Sequence, residues 1–180
     1  FCRRMGLSRF REFTIRLTEA LSRPDSLVHR DVSAGDSTSD AIAKVVDAAI
    51  KSLVDLRAEL STMPFDDVVS RMVDARQFVF AGLGASGHVA SDASHKFFRL
   101  GIPCNALIEP PSIRQFAAIA GEHDVFFLVS KNGNDPGLCE SAREARENAA
   151  LVVAITDPGS ELAKAASATF ACDAQEDTNI

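Results

Sequence analysis

The sequence has no long apolar run and no paired cysteines. No stretch approaches the roughly 20 apolar residues that a membrane-spanning helix needs, and the start does not read as a secretory signal, so no membrane partner is expected. The four cysteines lie far apart, without a C-x-x-C pair or a nearby pair of histidines. That scatter argues against a zinc site and is usual for free thiols in a reducing compartment. We therefore expect a cytoplasmic protein that binds no metal.

Charge is spread unevenly along the chain. The 180 residues carry a formal net charge of −6, yet residues 1–30 hold seven arginines against three acidic residues. The first 30 residues are therefore at +4 and the other 150 at −10. A basic N-terminal segment in an otherwise acidic chain is typical of a protein that contacts nucleic acid through one end only. A solvated basic helix face would give the same pattern.

The N-terminal part reads as helices and a linker. Residues 9–21 have apolar side chains at helical spacing, and residues 24–39 form a linker rich in Ser, Asp and Gly. A long helix is predicted from about residue 40 to 60, with Ser39 or Asp40 as its cap, and a shorter helix follows. The apolar face of the long helix could couple two subunits, or it could pack on the sheet of its own chain.

From residue 78 onward, short apolar runs alternate with helical segments. The runs are almost wholly apolar, as in strands of a parallel sheet that are buried on both faces. This alternation predicts an α/β fold, a doubly wound parallel sheet with helices on both faces. A further strand is expected shortly before the end of the sequence. The predicted strands are 78–81, 104–108, 125–129 and 151–155, and the predicted helices are 87–100, 111–120, 136–149 and 160–167.

A glycine-rich loop follows the first of these strands. Residues 82–87 read Gly-Leu-Gly-Ala-Ser-Gly and lead directly into a helix. The amides of such a turn and the positive end of the helix dipole make a ready site for an anion. Gly82, Gly84 and Gly87 also satisfy G-x-G-x-x-G, with Glu109 about 22 residues further on, which would suit a dinucleotide. The serine inside the turn and the two prolines after Glu109 argue against that alternative.

A second loop of the same kind follows the third strand. Residues 130–135 read Ser-Lys-Asn-Gly-Asn-Asp, again before a helix. Loops that follow parallel strands lie at the carboxyl edge of the sheet, where ligands of such folds bind, and loop 156–160 lies at the same edge. Two serine-bearing loops at one edge can close on one ligand, an arrangement that a dinucleotide-binding protein does not need.

These segments together resemble one family. The stretch Gly-Leu-Gly-Ala-Ser-Gly-His-Val-Ala-Ser-Asp-Ala-Ser-His-Lys-Phe-Phe at 82–98 closely resembles the first ligand loop and helix of sugar isomerase (SIS) domains, especially those of RpiR-type transcriptional regulators of the HexR branch. Residues 1–13 resemble the end of that family's helix-turn-helix domain. Further segments that fit the family are 29–32, 36–37, 53–60, 154–157, 160–163 and 176–178.

The resemblance implies a DNA-binding transcriptional regulator of carbohydrate metabolism that is not an enzyme and needs no cofactor. Its SIS domain would sense a phosphorylated sugar or sugar acid and adjust the affinity for operator DNA, in a homo-oligomer. The implied domains are a helix-turn-helix remnant at 1–23, a linker at 24–39 and a SIS domain at 40–180, whose α/β core begins at about 77. Most of the family's helix-turn-helix and its terminal helix would be missing from this chain.

The resemblance also implies roles for individual residues. Arg3 and Arg4 would contact DNA. The implied effector-binding residues are Gly84, Ala85, Ser86, Gly87 and His88 in the first loop and Ser130, Lys131, Asn132, Gly133 and Asp135 in the second.

The second loop departs from the family pattern S-x-[ST]-G-x-[ST], because Asn132 and Asp135 stand at two of its hydroxyl positions. A carboxylate beside a phosphate is repulsive unless it is protonated or paired, and Lys131 is the candidate partner. We therefore expect Asp135→Thr to tighten the binding of a phosphorylated sugar acid. The alternative function is a SIS-domain aldose–ketose sugar-phosphate isomerase with Asp135 as its base, although the arginine-rich start has no place in such an enzyme.

Overall fold

The computed structural model describes residues 32, 33 and 35–172. The predictions for residues 1–23, including the DNA contacts of Arg3 and Arg4, lie outside this range. The strands are β1 (Gln77–Gly82), β2 (Cys104–Leu107), β3 (Asp124–Val129), β4 (Leu151–Thr156) and β5 (Ala168–Ala171). The helices of the described part are α1 (Thr38–Glu59), α2 (Phe65–Met72), α3 (Ala85–Phe97), α4 (Pro110–Ala118), α5 (Pro136–Glu147) and α6 (Glu161–Ala165), with single 3-10 turns at Leu60–Thr62 and Phe98–Leu100.

The five strands form one parallel sheet in the order β2-β1-β3-β4-β5. Every residue of β3 is buried, as the continuous apolar run predicts for a central strand covered on both faces. The order in which strands are added to the sheet reverses at the β1/β3 pair, since β2 lies outside β1 on one side and β4 lies outside β3 on the other. The predicted doubly wound α/β fold is confirmed.

Helices cover both faces of the sheet with separate apolar cores. One face packs against α4, α5 and α6 through residues such as Ile113, Ala142 and Leu162. The other face packs against α2 and α3 and contains a cluster of phenylalanines, in which the rings of Phe80 and Phe127 stack with centroids 4.9 Å apart. Each such aromatic pair contributes about 0.5–1.5 kcal/mol beyond its buried area. The two loops after β1 and β3 therefore leave the sheet toward opposite faces.

A buried ionic network joins the starts of β1 and β3 at the amino-terminal edge of the sheet. Asp124, at the start of β3, is fully buried and accepts hydrogen bonds from Arg76 at 2.6 and 2.8 Å, from Gln77 at 3.0 Å and from the amide of Gly121 at 2.9 Å. Burial alone would raise the pKa of Asp124, but these donors together lower it below its ordinary value. The network ties β1 to β3 at the end of the sheet that lies away from the loops following these two strands.

Helix α1 belongs to a separate compact unit, which ends at Leu60, whereas the sheet and its helices form the unit that begins at Ser61. The helix begins at Thr38, slightly earlier than predicted. The predicted cap was wrong: Ser37, not Ser39 or Asp40, is the N-cap, and its hydroxyl accepts the amide of Asp40 at 3.2 Å. No residue of α1 is buried, and its apolar side chains Ile42, Val45, Val46, Leu53 and Leu56 are 41–67% exposed.

Within residues 32, 33 and 35–172, no helix combines the length and the apolar character that crossing a membrane requires.

Candidate functional site

The carboxyl ends of β1 and β3 form the edge where a ligand would bind. These strands are direct neighbours, with Gly82 paired with Val129 at their last residues. Adjacent strands lie about 4.8 Å apart, so the loops that follow them start within reach of one small molecule. Because α3 and α5 then pass to opposite faces of the sheet, a crevice opens between the loops, as at the switch points of other open α/β sheets. The sequence prediction that these loops share one edge is confirmed by the strand order.

The first loop ends in a helix whose N-terminus has no side-chain cap. Gly84 is the N-cap of α3, with φ +56° and ψ −126°, and the first turn contains no acidic residue. An added Cβ at Gly84 would meet no atom within 4 Å, so the backbone there is open to a ligand. The positive φ is what requires glycine at this position.

Two amides of this turn are already used within it. The amide of Ser86 donates to the carbonyl of Leu83 at 3.1 Å, and that of Gly87 donates to the carbonyl of Gly84 at 3.0 Å. The half-buried Ser86 hydroxyl forms no hydrogen bond with any residue that the structure describes, and His88 is exposed in the first turn of α3. The donors left for an anion are therefore the backbone amides at the start of the turn and the Ser86 hydroxyl.

The other two glycines of the G-x-G-x-x-G pattern have a packing role. A Cβ on Gly82 would lie 2.6 Å from the carbonyl oxygen of Ser86, and one on Gly87 would lie 3.1 Å from the side chain of Ile108. The absence of a side chain at both glycines lets β1, α3 and the residue that follows β2 approach closely. The pattern is thus accounted for without a dinucleotide.

The second loop folds on its own polar groups. The Ser130 hydroxyl accepts the amide of Gly133 at 3.2 Å, and the Asn132 side chain accepts the amide of Asn134 at 3.5 Å. The structure brings Ser130, Lys131, Asn132 and Gly133 together between the ends of β3 and α5, beside the first loop.

Asp135 is the N-cap of α5. Its carboxylate accepts the amide of Leu138 at 2.8 Å, and Pro136 occupies the first helical position. An aspartate at an N-cap is among the most favourable residues there, and it interacts well with the positive end of the helix dipole. This arrangement gives the carboxylate a structural task at the edge of the crevice.

A third loop, residues 156–161, holds the second loop in place. The amide of Asp157 donates to the carbonyl of Lys131 at 3.1 Å, and the amide of Leu162 donates to that of Gly133 at 2.9 Å. Thr156 and Ser160 are buried, with their hydroxyl oxygens 3.2 Å apart. Gly133 has φ +57°, and a side chain there would collide with both hydroxyls.

The roles of Thr156 and Ser160 were not predicted. The only sequence signal is a pair of hydroxyl residues around a turn after β4, and many such pairs merely cap helices. Ser160 does cap α6, accepting the amide of Ala163 at 3.2 Å. Behind the same loop, burial raises the pKa of the Cys139 thiol, whose Sγ lies 3.5 Å from the carbonyl oxygen of Gly133. Cys139 therefore acts as a neutral packing residue.

The topology and the paired loops define a doubly wound α/β domain whose two glycine- and serine-bearing loops follow the neighbouring strands β1 and β3. The sequence model of the SIS domain family matches residues 71–180, more than half of the chain. The chain belongs to the SIS domain family.

Curated relatives extend the similarity beyond this domain. The chain is 33% identical to the HTH-type transcriptional regulator HexR of Escherichia coli K12 and 36% identical to HexR of Pseudomonas aeruginosa PAO1, in each case over all 180 residues. It is also 35% identical over 173 residues to the bifunctional protein glk of Burkholderia thailandensis, covering 96% of this chain and 27% of that protein. The chain spans 62% and 63% of the two HexR proteins.

Solved structures share the fold. The Vibrio vulnificus NanR protein complexed with ManNAc-6P has a TM-score of 0.66 and 24% identity, covering 95% of this chain and 60% of that one. The sugar isomerase domain of an RpiR transcription factor from Sphaerobacter thermophilus has a TM-score of 0.65 and 21% identity, covering 75% and 78%. The predicted SIS fold and the resemblance to regulators of the HexR branch are confirmed.

Proposed function

We propose that this chain is the effector-sensing part of a DNA-binding transcriptional regulator of carbohydrate metabolism. The observation that carries this proposal is the extent of similarity to HexR. The SIS model begins at residue 71, whereas the match to both HexR proteins includes residues 1–70 as well. A SIS domain alone would leave that first part without a counterpart. Such a regulator acts in the cytoplasm, where its DNA is.

The effector of this proposal is a phosphorylated sugar or sugar acid held in the crevice between β1 and β3. On the first side, the open Gly84 turn, the N-terminus of α3 and the Ser86 hydroxyl offer donors to an anion. On the second side, Ser130 and Asn132 offer a hydroxyl and an amide to the sugar. The proposed effector-binding residues are Gly84, Ala85, Ser86, Gly87, His88, Ser130, Lys131, Asn132, Gly133 and Asp135.

Regulation then follows from linkage. An effector that binds better to one arrangement of subunits than to another shifts the population toward it. Because a dimeric regulator reads two half-sites at a fixed spacing, that shift changes the affinity for operator DNA. In this proposal the protein is a homo-oligomer and Arg3 and Arg4 contact the DNA. Residues 1–23 belong to the helix-turn-helix domain, residues 24–39 are the linker and residues 40–180 form the SIS domain. The exposed apolar side chains of α1 support a role for that helix in joining copies of the chain.

The isomerase alternative lacks a free base among the candidate residues of the second loop. An aldose–ketose isomerase needs a carboxylate or histidine that moves a proton beside the carbonyl. The Asp135 carboxylate is bound to the amide of Leu138 as the cap of α5, so a proton on it would weaken the start of that helix.

Two assays separate the regulator from the isomerase. The complete product of the gene is tested by gel shift on DNA tiled across the promoters near its own gene, at several salt concentrations and with a panel of sugar phosphates and phosphorylated sugar acids. A regulator gives a specific, salt-sensitive complex whose affinity changes with one class of ligand. Proton exchange or isomer formation from a sugar phosphate, without specific DNA binding, would instead establish the enzyme.

A further inference from the structure

The two sides of the crevice differ in charge. The first loop, residues 82–88, contains no Asp, Glu, Lys or Arg. The two loops on the other side, residues 130–135 and 156–161, hold one lysine against Asp135, Asp157 and Glu161, a net charge of −2. Asp157 is exposed and accepts the amide of Gly159 at 2.7 Å, and Glu161 lies 2.7 Å from Lys164.

The two sides also differ in the amide donors that they present. The N-cap of α3 is a glycine without a side-chain cap. At α5, by contrast, the first helical residue is Pro136, which has no N–H, and the amide of Leu138 is already bound to the Asp135 carboxylate. The start of α5 therefore presents an anionic side chain where the start of α3 presents bare backbone.

Building on the proposed function, we propose that Asp135 is a specificity-determining residue of the effector site. The phosphate of the effector binds at the first loop, and the other end of the effector lies against the second loop beside the Asp135 carboxylate. The site then selects phosphorylated sugars or alditols whose far end is an uncharged hydroxyl group. It discriminates against the corresponding phosphorylated aldonic acids, whose far end is a carboxylate.

The expected discrimination follows from the repulsion of two like charges at the edge of a solvated crevice. At a separation of several ångströms and an effective dielectric constant between those of protein and water, that repulsion corresponds to about a tenfold difference in Kd. Lys131 reduces this effect, and Lys164 offsets the charge of Glu161 through their 2.7 Å contact. The expected discrimination therefore rests on the carboxylate of Asp135 itself.

Matched ligand pairs test this inference on the full 180-residue chain by isothermal titration calorimetry. Each pair has the same number of carbons and an open chain, and differs only in a terminal hydroxymethyl or carboxylate group. The pairs are erythritol 4-phosphate with 4-phosphoerythronate, ribitol 5-phosphate with 5-phosphoribonate, and glucitol 6-phosphate with 6-phosphogluconate.

Two variants remove the charge of Asp135 and keep a side chain that can cap α5: Asp135→Asn and Asp135→Thr. Their thermal unfolding midpoints are compared with that of the wild type, so that a loss of fold is not read as a change in selectivity. Thr tests whether the effect belongs to the charge and not to the amide that Asn introduces.

For the pair that binds best, we expect the wild type to favour the alditol phosphate about tenfold, and each variant to bring the two Kd values within about threefold of each other. Equal Kd values in the wild type, or an unchanged ratio in both variants, would overturn the role of Asp135 while leaving the sugar-phosphate site intact. Binding of no phosphorylated ligand by the wild type would overturn the proposed function together with this inference.

Discussion

The Ser86 hydroxyl is the polar side chain of the first loop that is best placed for a ligand. It lies half-buried in the first turn of α3, without a hydrogen bond to any other described residue. The neighbouring amides of Ser86 and Gly87 are partly satisfied inside the turn. In the proposed effector site, we therefore expect the hydroxyl to carry a larger share of phosphate binding than a serine in an amide-rich loop would.

Replacing Ser86 should weaken effector binding more than it weakens the fold. A hydrogen bond to a charged group is worth about 1.5–3 kcal/mol, so Ser86→Ala should raise the Kd of the best-binding sugar phosphate about 10- to 100-fold. The measurement is calorimetric titration of the chain. Ser91→Ala, one turn further along α3, is the matched control, because the Ser91 hydroxyl bonds the carbonyl of Gly87 within the helix. Equal Kd values for wild type and Ser86→Ala would contradict the assignment.

Gly133 allows a graded test of how tightly the second loop packs. Gly133 has a positive φ and no room for a side chain, Gly101 has φ +81° with open space, and Gly121 has open space without a positive φ. We expect Gly121→Ala to be nearly neutral, Gly101→Ala to cost about 1 kcal/mol of unfolding free energy, and Gly133→Ala to cost distinctly more, about 2–4 kcal/mol. Urea denaturation measures all three. A cost at Gly133 no greater than at Gly101 would mean that Thr156 and Ser160 do not confine the loop.

At the residue scale, sequence reasoning found the loops but not the residues behind them. The glycine and serine pattern of 82–87 predicts an anion site, because the features that favour an anion there are local to the sequence. The collision of a Gly133 side chain with Thr156 and Ser160 depends on how two loops far apart in sequence meet, which no local pattern encodes. Likewise, the sequence flags Asp135 as an unusual anion, while only the structure reveals that it caps α5.

At the scale of elements, the strands were the most predictable part of the fold. The apolar runs predicted at 78–81, 125–129 and 151–155 became β1, β3 and β4, each with one or two residues added at its ends. Strands that are buried on both faces leave a strong signal, because almost any polar residue in them would be costly. Asp124 is the exception that extends β3: it is a buried charge that only its partners make tolerable.

The ionic network of Asp124 gives a prediction for the sheet. Arg76→Ala removes a two-point partner from a fully buried carboxylate, so it should lower the free energy of unfolding at pH 7 by about 2–3 kcal/mol. Chemical denaturation at several pH values measures this cost. Arg114→Ala is the control, because the Arg114–Glu140 pair is exposed on both sides and is worth little.

The pH dependence of that cost has a definite sign. The pKa of Asp124 is lowered in the folded state, so its contribution is fully present above the pKa of an unfolded aspartate and is lost as the pH falls through the folded pKa. Because the unfolded state is the same in both proteins, the difference between wild type and Arg76→Ala should be constant near neutral pH. It should shrink as the pH falls through the pKa of Asp124 in the variant, which loses the donors of Arg76, and then through the lower pKa of the wild type. A difference that grew on acidification would contradict the role of the carboxylate.

At the scale of the whole molecule, the proposed function requires that effector binding in the crevice change the affinity of the protein for DNA. The chain matches HexR regulators across residues that lie before the SIS domain, and α1 exposes apolar side chains in that part of the chain. An effector can shift a regulatory equilibrium only by the difference between its affinities for the two states, and DNA must change the affinity for effector by the same factor. A coupling of 1–3 kcal/mol, about 5- to 150-fold, is the usual range for such systems.

The most direct test of this account is the Kd for specific promoter DNA, measured with the complete product of the gene by gel shift across a titration of its best-binding sugar phosphate. We predict that the ligand changes the Kd of the wild type at least fivefold, and that Ser86→Ala binds the same DNA but needs 10- to 100-fold more ligand for the same change. A DNA affinity that stays constant while calorimetry shows the effector site to be full would contradict the account.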